Sequence, residues 1–297
     1  MNRKPYHIIQ NMEATADVMA VTGVDAHAHV MRQAARLVPE RHSAPHRDVD
    51  VDEFIGLLNA HGLSHGVLTA PSFLGTDNTL LLDALSRYPG RLAGTAIVDP
   101  AIDVETLAGM RDMGVAGIRL NWVRRATLPD IDTPAYAGLL RHVRALGLHV
   151  ELFLEDAPTA RVLPRLVDHG VDVVLDHFGC PDPEQGVSGP GFVQVLKAVR
   201  AGQAWVKLSA PYRLGGAEPR RYVDALLDAG GPQRLMWGSD FPWVGHEAHG
   251  GGIRYADCLD WLSAWLPQRR LRDVVLRDTP ARVFGFARAR RPLAAHP

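Results

Sequence analysis

The feature that most constrains the fold is an alternation of eight short apolar segments with helical patterns along the chain. Between these segments, apolar residues recur at i, i+3 and i+4, and each helical pattern ends at a glycine, the usual C-terminal cap. The candidate strands occupy residues 24–29, 66–71, 93–98, 115–121, 148–154, 171–178, 204–210 and 234–240. Eight strands that alternate with helices predict an α/β protein with a single (β/α)8 domain, the TIM barrel.

An open, doubly wound sheet is the competing architecture. Such a sheet normally carries a glycine-rich phosphate-binding turn after its first strand, whereas this chain has HAHVMRQ in that place, at residues 27–33. The barrel is therefore favoured. We expect an N-terminal arm over residues 1–20, the barrel over residues 21–287 and a flexible basic tail over residues 288–297.

The composition narrows the choice of partners. The chain has 32 Lys and Arg against 33 Asp and Glu, so its net charge of −1 gives no bulk attraction to nucleic acid or to an anionic membrane. It has neither a signal-peptide core nor an apolar run of about 18 residues, and Cys180 and Cys258 are too few for a disulfide framework. These features predict a cytoplasmic protein that binds a small molecule, with no nucleic acid or membrane partner.

Histidine and aspartate residues stand at the ends of three candidate strands. His27 and His29 end the first strand, and a period of two puts both imidazoles, together with Asp25, on one face of it. His177 ends the sixth strand and Asp240 ends the eighth. Because parallel strands of a barrel end at the same rim, we expect His27, His29, His177 and Asp240 to converge on a catalytic site.

Arginines form a second group near the same rim. Arg119 lies inside the fourth strand, where a guanidinium among apolar residues must be paired, with Glu151 or with a substrate carboxylate. Arg125 follows that strand and Arg213 follows the seventh, whereas we expect Arg124 to be a solvated surface residue. Several arginines at one mouth favour a small anionic substrate, bound through its carboxylates.

Five motifs occur in an order and spacing that resemble a known family: VDAHAHV, APSFLGTDN, GIRLNWVRR, VVLDHFGCPD and WGSDFPW. Together they resemble the amidohydrolase superfamily, and more closely the branch that contains 2-pyrone-4,6-dicarboxylate hydrolase and related lactonases. The resemblance covers roughly residues 20–287 and implies a barrel hydrolase that opens a cyclic ester. It implies Asp240 as the base and places His27, His29 and His177 around the lactone carbonyl. It also implies that the substrate carboxylates are held by Ser72, Arg119, Arg125 and Arg213.

Two residues depart from that family pattern. Phe153 replaces a tyrosine that contacts the substrate, and Trp243 replaces the histidine of a Trp-Pro-His motif. Both changes are expected to make the mouth of the barrel more apolar and to alter the choice of substrate, but not the class of reaction.

The resemblance also raises the question of a metal, because metal-dependent members take ligands from the first, fifth and eighth strands. Here His27, His29 and Asp240 could hold one divalent ion such as zinc or manganese. The fifth strand offers His149 only at its start, at the other end of the barrel. The sequence therefore favours a reaction that requires no cofactor, in which Asp240 takes a proton from water and the histidines donate to the oxyanion.

Two other functions compete with lactone opening. A metal-dependent decarboxylase of an aromatic or muconate-type acid would use the same barrel, and a non-catalytic acid-binding protein would use the same arginines. The missing ligand on the fifth strand counts against the first, and Asp240 in an anion site counts against the second. Trp261 and Trp265, four residues apart on the last helical pattern, suit either an interface of a homo-oligomer or the packing of that helix on the barrel.

Overall fold

The computed structural model of the chain describes residues 19–246 and 252–286. The expected N-terminal arm, apart from its last two residues, and the basic tail lie outside these ranges, as does most of the HEAHGGG segment at 246–252. Within the described ranges, no helix is both long enough and apolar enough to cross a membrane.

The strands form one parallel sheet in the order of the chain, from β1 to β8. Their bounds are β1 Val24–Ala28, β2 His65–Thr69, β3 Leu92–Ala96, β4 Val115–Asn121, β5 His149–Phe153, β6 Val173–Leu175, β7 Ala204–Leu208 and β8 Leu235–Trp237. The sheet closes just beyond β8, where the His29 amide donates to the Phe241 carbonyl (2.8 Å) and the Asp240 amide donates to the His27 carbonyl (2.9 Å). The predicted (β/α)8 barrel is confirmed.

Helices connect the strands on the outside of the barrel. Their bounds are α1 Val51–Ala60, α2 Thr79–Arg87, α3 Val104–Asp112, α4 Pro134–Ala145, α5 Asp156–Asp168, α6 Pro190–Arg200, α7 Pro219–Gly230, α8 Tyr255–Trp265, α9 Arg269–Asp273 and α10 Thr279–Val283. Local sequence sets their ends: Asp103 caps α3 by accepting from the Thr106 amide (2.7 Å). Gly147 follows α4 with φ = 66°, a conformation that glycine adopts without strain. Trp265 is buried and Trp261 is half-buried on α8, as expected for packing of this helix on the barrel.

The lower interior of the barrel is apolar. Val24 and Ala26 of β1 pack there with small or aliphatic residues of other strands, and Phe284 and Phe286 close this end from the C-terminal side. His149 lies at the same end, with its ring centroid 5.4 Å from that of Phe284. The catalytic residues expected from the sequence lie at the opposite rim, so this end of the barrel stabilises the fold.

The buried His149 gives a testable pH dependence of stability. Burial, followed by the charge of Lys207, lowers the pKa of His149 to about 3 in the folded protein, against 6.5 ordinarily. The unfolded chain therefore binds a proton that the folded chain does not, and stability is lost as pH falls below about 6.5. Each such histidine contributes a slope of roughly 1.4 kcal/mol per pH unit. We expect His149→Met to reduce the fall in unfolding free energy between pH 6.5 and pH 5, measured by urea denaturation. An equal fall in both proteins would contradict this assignment.

Candidate active site

An irregularity in β1 determines which of its side chains reach the site. The register with β2 shifts between Asp25 and Ala28, so Val24 and Ala26 face the lower interior while His27 and His29 face the upper interior. Asp25 points the other way, and accepts from the Ser239 hydroxyl (2.5 Å) and from the Tyr255 hydroxyl on α8 (2.7 Å). The expectation that Asp25 shares a face with the two histidines is therefore wrong. Its carboxylate instead fastens α8 and the segment after β8 to β1.

Asp240 lies at the centre of the upper rim. It follows β8 with φ = 59° and is 1% exposed. Its Oδ1 faces three imidazole nitrogens, at 3.5 Å from His27 Nε2, 3.6 Å from His29 Nε2 and 3.8 Å from His177 Nε2. The structure thus brings together all four residues that the sequence assigned to the catalytic site.

The other carboxylate oxygen of Asp240 is held by two donors from the turn after β7. The Tyr212 hydroxyl donates to Oδ2 (2.5 Å), and Arg213 Nη2 lies 3.2 Å from the same atom. Burial alone raises the pKa of Asp240, but the positive charge of Arg213 and the facing histidines outweigh it and hold the pKa well below its ordinary value of 3.8. Asp240 is therefore ionised at neutral pH. Tyr212 was not found by the sequence reasoning, although it directly precedes an arginine that was.

The three histidines differ in their surroundings. His29 and His177 line an open cavity, whereas His27 is fully buried beneath it. His29 Nδ1 donates to the Thr69 carbonyl (2.7 Å), because a carbonyl oxygen can only accept. His177 Nδ1 is hydrogen-bonded to the Ser209 hydroxyl (2.8 Å), and burial lowers the pKa of His177 to about 3. Burial and the adjacent charge of Lys207 likewise lower the pKa of His27 well below its ordinary value, so both rings are neutral at pH 7.

A ring of four charged side chains, Arg119, Glu151, Asp176 and Lys207, lies buried directly below the histidines. The Arg119 guanidinium contacts Glu151 Oε1 through Nε (3.2 Å) and Asp176 Oδ2 through Nη2 (2.8 Å). The Lys207 ammonium contacts Glu151 Oε2 (2.6 Å) and Asp176 Oδ1 (3.3 Å). Two cations thus alternate with two carboxylates. Arg119 has the structural partner expected for it, Glu151, and a second in Asp176. Sequence reasoning missed Lys207, although a single lysine inside the apolar segment AWVKLSA was a visible signal.

The charged ring makes Arg119 a residue of the fold as well as of the site. Truncating one partner of a buried ion pair leaves an uncompensated charge and costs about 3–5 kcal/mol. With two buried carboxylates on its guanidinium, we expect Arg119→Met to lower the free energy of unfolding by that amount, measured by urea denaturation. Arg141→Met, at an exposed position of α4, is the control. Equal stability of the two variants would show that the ring does not depend on Arg119.

The cavity above the ring has a volume of about 730 Å³. Ser72 and Arg213 line it as expected, and Arg119 forms part of its floor. The two arginines after β4 are placed differently from the expectation. Arg124, which was expected to face solvent alone, is exposed but lines the cavity, whereas Arg125 is exposed and is not among the lining residues of the described chain. The positive φ of Arg124 (59°) orients the loop so that Arg124, and not Arg125, lines the cavity.

The two departures from the family pattern have different positions. Phe153 lines the cavity, with its ring edge-to-face on His177 (centroids 4.9 Å apart) and with the Arg213 guanidinium 5.9 Å from its centre. It therefore supplies an apolar wall between two polar groups. Trp243 donates through Nε1 to the Ser239 carbonyl (3.2 Å) and is not among the described residues of the cavity wall. The expected apolar character of the mouth thus holds for Phe153 and not for Trp243.

The group around Asp240 can be tested for its fit to a metal ion. His27, His177 and Asp240 offer ligand atoms within 4.8 Å of one another, and the Nε2 atom of His29 lies close to the same carboxylate oxygen. By these distances, the group that could hold a divalent cation is His27, His177 and Asp240, and a cation bound there would polarise a carbonyl and acidify a water molecule. His27, which the sequence placed in the ligand set with His29 and Asp240, is held by Lys207 on its other nitrogen (3.1 Å).

Fold and site together define a (β/α)8-barrel enzyme of the kind that builds its active site from histidines and an aspartate at the C-terminal ends of the strands. The amidohydrolase family model matches residues 24–286, and the chain belongs to this family. It is 30% identical over 284 residues to the 2-pyrone-4,6-dicarboxylate hydrolase of Comamonas testosteroni, covering 88% of this chain and 89% of that one.

Two further relatives agree with this membership. The 4-sulfomuconolactone hydrolase of Hydrogenophaga intermedia is 27% identical over 275 residues, which is 90% of each chain. A crystal structure from Pseudomonas putida, described as a 2-pyrone-4,6-dicarboxylic acid hydrolase, superposes with a TM-score of 0.83 at 38% identity, covering 91% of this chain and 100% of that one. The family resemblance seen in the five sequence motifs is confirmed.

Proposed function

We propose that this protein hydrolyses the ring ester of a small carboxylated lactone, with water activated by Asp240. Its relatives are named as hydrolases of 2-pyrone-4,6-dicarboxylate and of 4-sulfomuconolactone, which supports an enzyme that acts on cyclic esters. Both of these substrate names denote a ring ester that carries an additional acidic group. A lactone of this kind, resembling 2-pyrone-4,6-dicarboxylate or a muconolactone, is the substrate class that we propose.

The observation that carries the proposal is the position of Asp240 between two kinds of partner. On one side, the imidazoles of His29 and His177 line the cavity and can contact a carbonyl oxygen. On the other side, Arg213 lines the cavity and can pair with a substrate carboxylate. Arg124 and Ser72 add further donors on the wall. A lactone carboxylate at Arg213 would bring the ring ester over Asp240.

The proposed reaction begins with proton transfer from a water molecule to Asp240 as the water oxygen attacks the ester carbonyl. The ring C–O bond then breaks, and the ring oxygen takes the proton back from Asp240, which gives the open hydroxy acid or its tautomer and restores the carboxylate. His177 lines the cavity and can donate to the developing oxyanion through Nε2 when its Nδ1 accepts from the Ser209 hydroxyl, and a preorganised donor of this kind stabilises such charge. An ester needs less activation than an amide, which supports a route that requires no metal.

Arg213 links substrate binding to the strength of the base. In the described structure its charge helps to keep the pKa of Asp240 well below the ordinary value, which makes a weak base. A substrate carboxylate that pairs with Arg213 would offset that charge. The pKa of Asp240 would then rise, and the carboxylate would become a better proton acceptor only when the anionic substrate is in place.

The test is a panel of lactones with and without carboxylates, followed by ring opening in the ultraviolet, with CO2 release and metal content measured on the same preparation. Ring opening of the carboxylated lactones without CO2 is the expected result. Release of CO2 in proportion to bound zinc or manganese would instead indicate the decarboxylase. Saturable binding of the acids with neither product would indicate a non-catalytic binding protein.

A further inference from the structure

We propose that Lys207 fixes the proton of neutral His27 on Nε2, and so makes His27 a hydrogen-bond donor toward Asp240 rather than a metal ligand. This role makes Lys207 a positioning residue, which acts on the site through His27. The inference deepens the proposed function and rests on it for the role of Asp240 as the base.

The first step is the hydrogen bond between Lys207 and His27. Lys207 is fully buried in β7, and its Nζ lies 3.1 Å from His27 Nδ1. An ammonium group has three N–H donors and no lone pair, so it can only donate. His27 Nδ1 must therefore present its lone pair to Lys207. In a neutral imidazole the proton then resides on Nε2.

A competing arrangement would place the proton on Nδ1 and direct it to Asp176. Asp176 Oδ1 lies 3.2 Å from His27 Nδ1, but within the described structure this buried oxygen has no hydrogen bond of good geometry. It is therefore near the ring nitrogen without lying in the direction of an N–H bond. A proton on Nδ1 would also point toward the Lys207 ammonium and leave one of its buried donors without an acceptor, which is costly. The geometry favours the Nε2 proton.

The second step concerns the other side of the ring. His27 Nε2 lies 3.5 Å from Asp240 Oδ1, and it is buried without a hydrogen-bond partner among the described residues. A lone pair on Nε2 would face the lone pairs of an ionised carboxylate, whereas a proton there faces an acceptor. A shift of a few tenths of an ångström would complete the hydrogen bond. His27 would then hold Asp240 in place from below, while His29 and His177 remain free to contact the substrate.

The third step is the position of the ammonium group itself. His27, Glu151 and Asp176 offer atoms of the type that hold a metal, within 4.8 Å of one another. Lys207 Nζ lies 2.6 Å from Glu151 Oε2 and 3.3 Å from Asp176 Oδ1, in addition to its contact with His27. The lysine thus supplies the positive charge that this set of atoms attracts. It is a cation that belongs to the chain and is fixed in place by β7.

The experiment is a long-range 1H–15N correlation spectrum of the full-length protein labelled at histidine, recorded without substrate. The His27 signals are assigned by their loss in His27→Gln. The wild type is expected to show the Nε2–H tautomer. In the double variant Glu151→Gln/Lys207→Met, which removes one charge of each sign, we expect His27 to change to the Nδ1–H tautomer. The affinity of the double variant for zinc, measured by titration calorimetry, is expected to be about tenfold higher than that of Glu151→Gln alone.

The matched control is Glu151→Gln alone, which keeps Lys207 on His27 and is expected to keep the Nε2–H tautomer. An Nδ1–H tautomer in the wild type overturns the inference and needs no variant to fold. An unchanged tautomer in the double variant also overturns the inference, and so does a zinc affinity of the double variant equal to that of Glu151→Gln. An Nε2–H protein that opens no lactone would contradict the proposed function alone. An active lactonase with Nδ1–H would contradict this inference alone.

Discussion

Asp240→Asn is expected to lower turnover of a carboxylated lactone by about 10²–10⁴-fold, because the amide keeps the shape of the side chain but cannot accept a proton. The pKa of Asp240 is held well below 3.8, so the wild-type rate should stay constant on acidification until the pH falls below that value. Steady-state rates from pH 4 to pH 8 should therefore show a wild-type rate that stays flat on acidification, together with the loss of turnover in the variant.

The control for this substitution is Asp228→Asn on the exposed face of α7, which should leave the rate unchanged. Adding zinc or manganese to Asp240→Asn tests the alternative role of Asp240 as a metal ligand, and we expect no recovery of activity. Turnover within a few-fold of the wild type, in a preparation free of contaminating wild-type enzyme, would refute the role of Asp240 as base.

Arg213→Met is expected to reduce kcat/KM for a carboxylated lactone by about 10²-fold, which corresponds to roughly 3 kcal/mol for truncating one member of a partly buried charge pair. It should also change the pH profile. Loss of the Arg213 charge removes a cause of the lowered pKa of Asp240, so that pKa rises and the acidic limb moves to higher pH. The expected signature is therefore weaker binding together with a shifted limb.

Arg141→Met again serves as the control, and a lactone without a carboxylate provides a second comparison. That neutral substrate should lose much less from Arg213→Met than the carboxylated one does. An equal loss on both substrates would show that Arg213 acts on Asp240 alone and does not bind the substrate anion.

The sequence predicted the barrel and the convergence of His27, His29, His177 and Asp240, since the C-terminal ends of parallel strands meet at one rim. It did not predict the direction of Asp25, because the irregularity in β1 breaks the period of two within a single strand. It also did not predict that Arg124 rather than Arg125 lines the cavity, because that placement depends on one positive φ in a loop. Such local backbone choices are set by tertiary packing and leave little trace in a residue pattern.

Lys207 illustrates a different limit. A pattern of apolar residues identifies β7, and the lysine within it is visible as an exception, but its partners come from β1, from β5 and from the residue after β6. The contacts of Lys207 with Glu151 (2.6 Å) and His27 (3.1 Å) form only after the barrel has closed. Sequence reasoning could have flagged the lysine as a buried charge without being able to name what it contacts.

The ring of Arg119, Glu151, Asp176 and Lys207 also restricts how this enzyme can be redesigned. Each member touches two others of opposite sign, so any single replacement leaves a charge stranded in the interior of the barrel. Variation at these positions should be accepted mainly as simultaneous changes of one acid and one base. Libraries that seek new substrates are better directed at Ser72, Arg124 and Phe153, which face the cavity from the wall and can be exchanged one at a time.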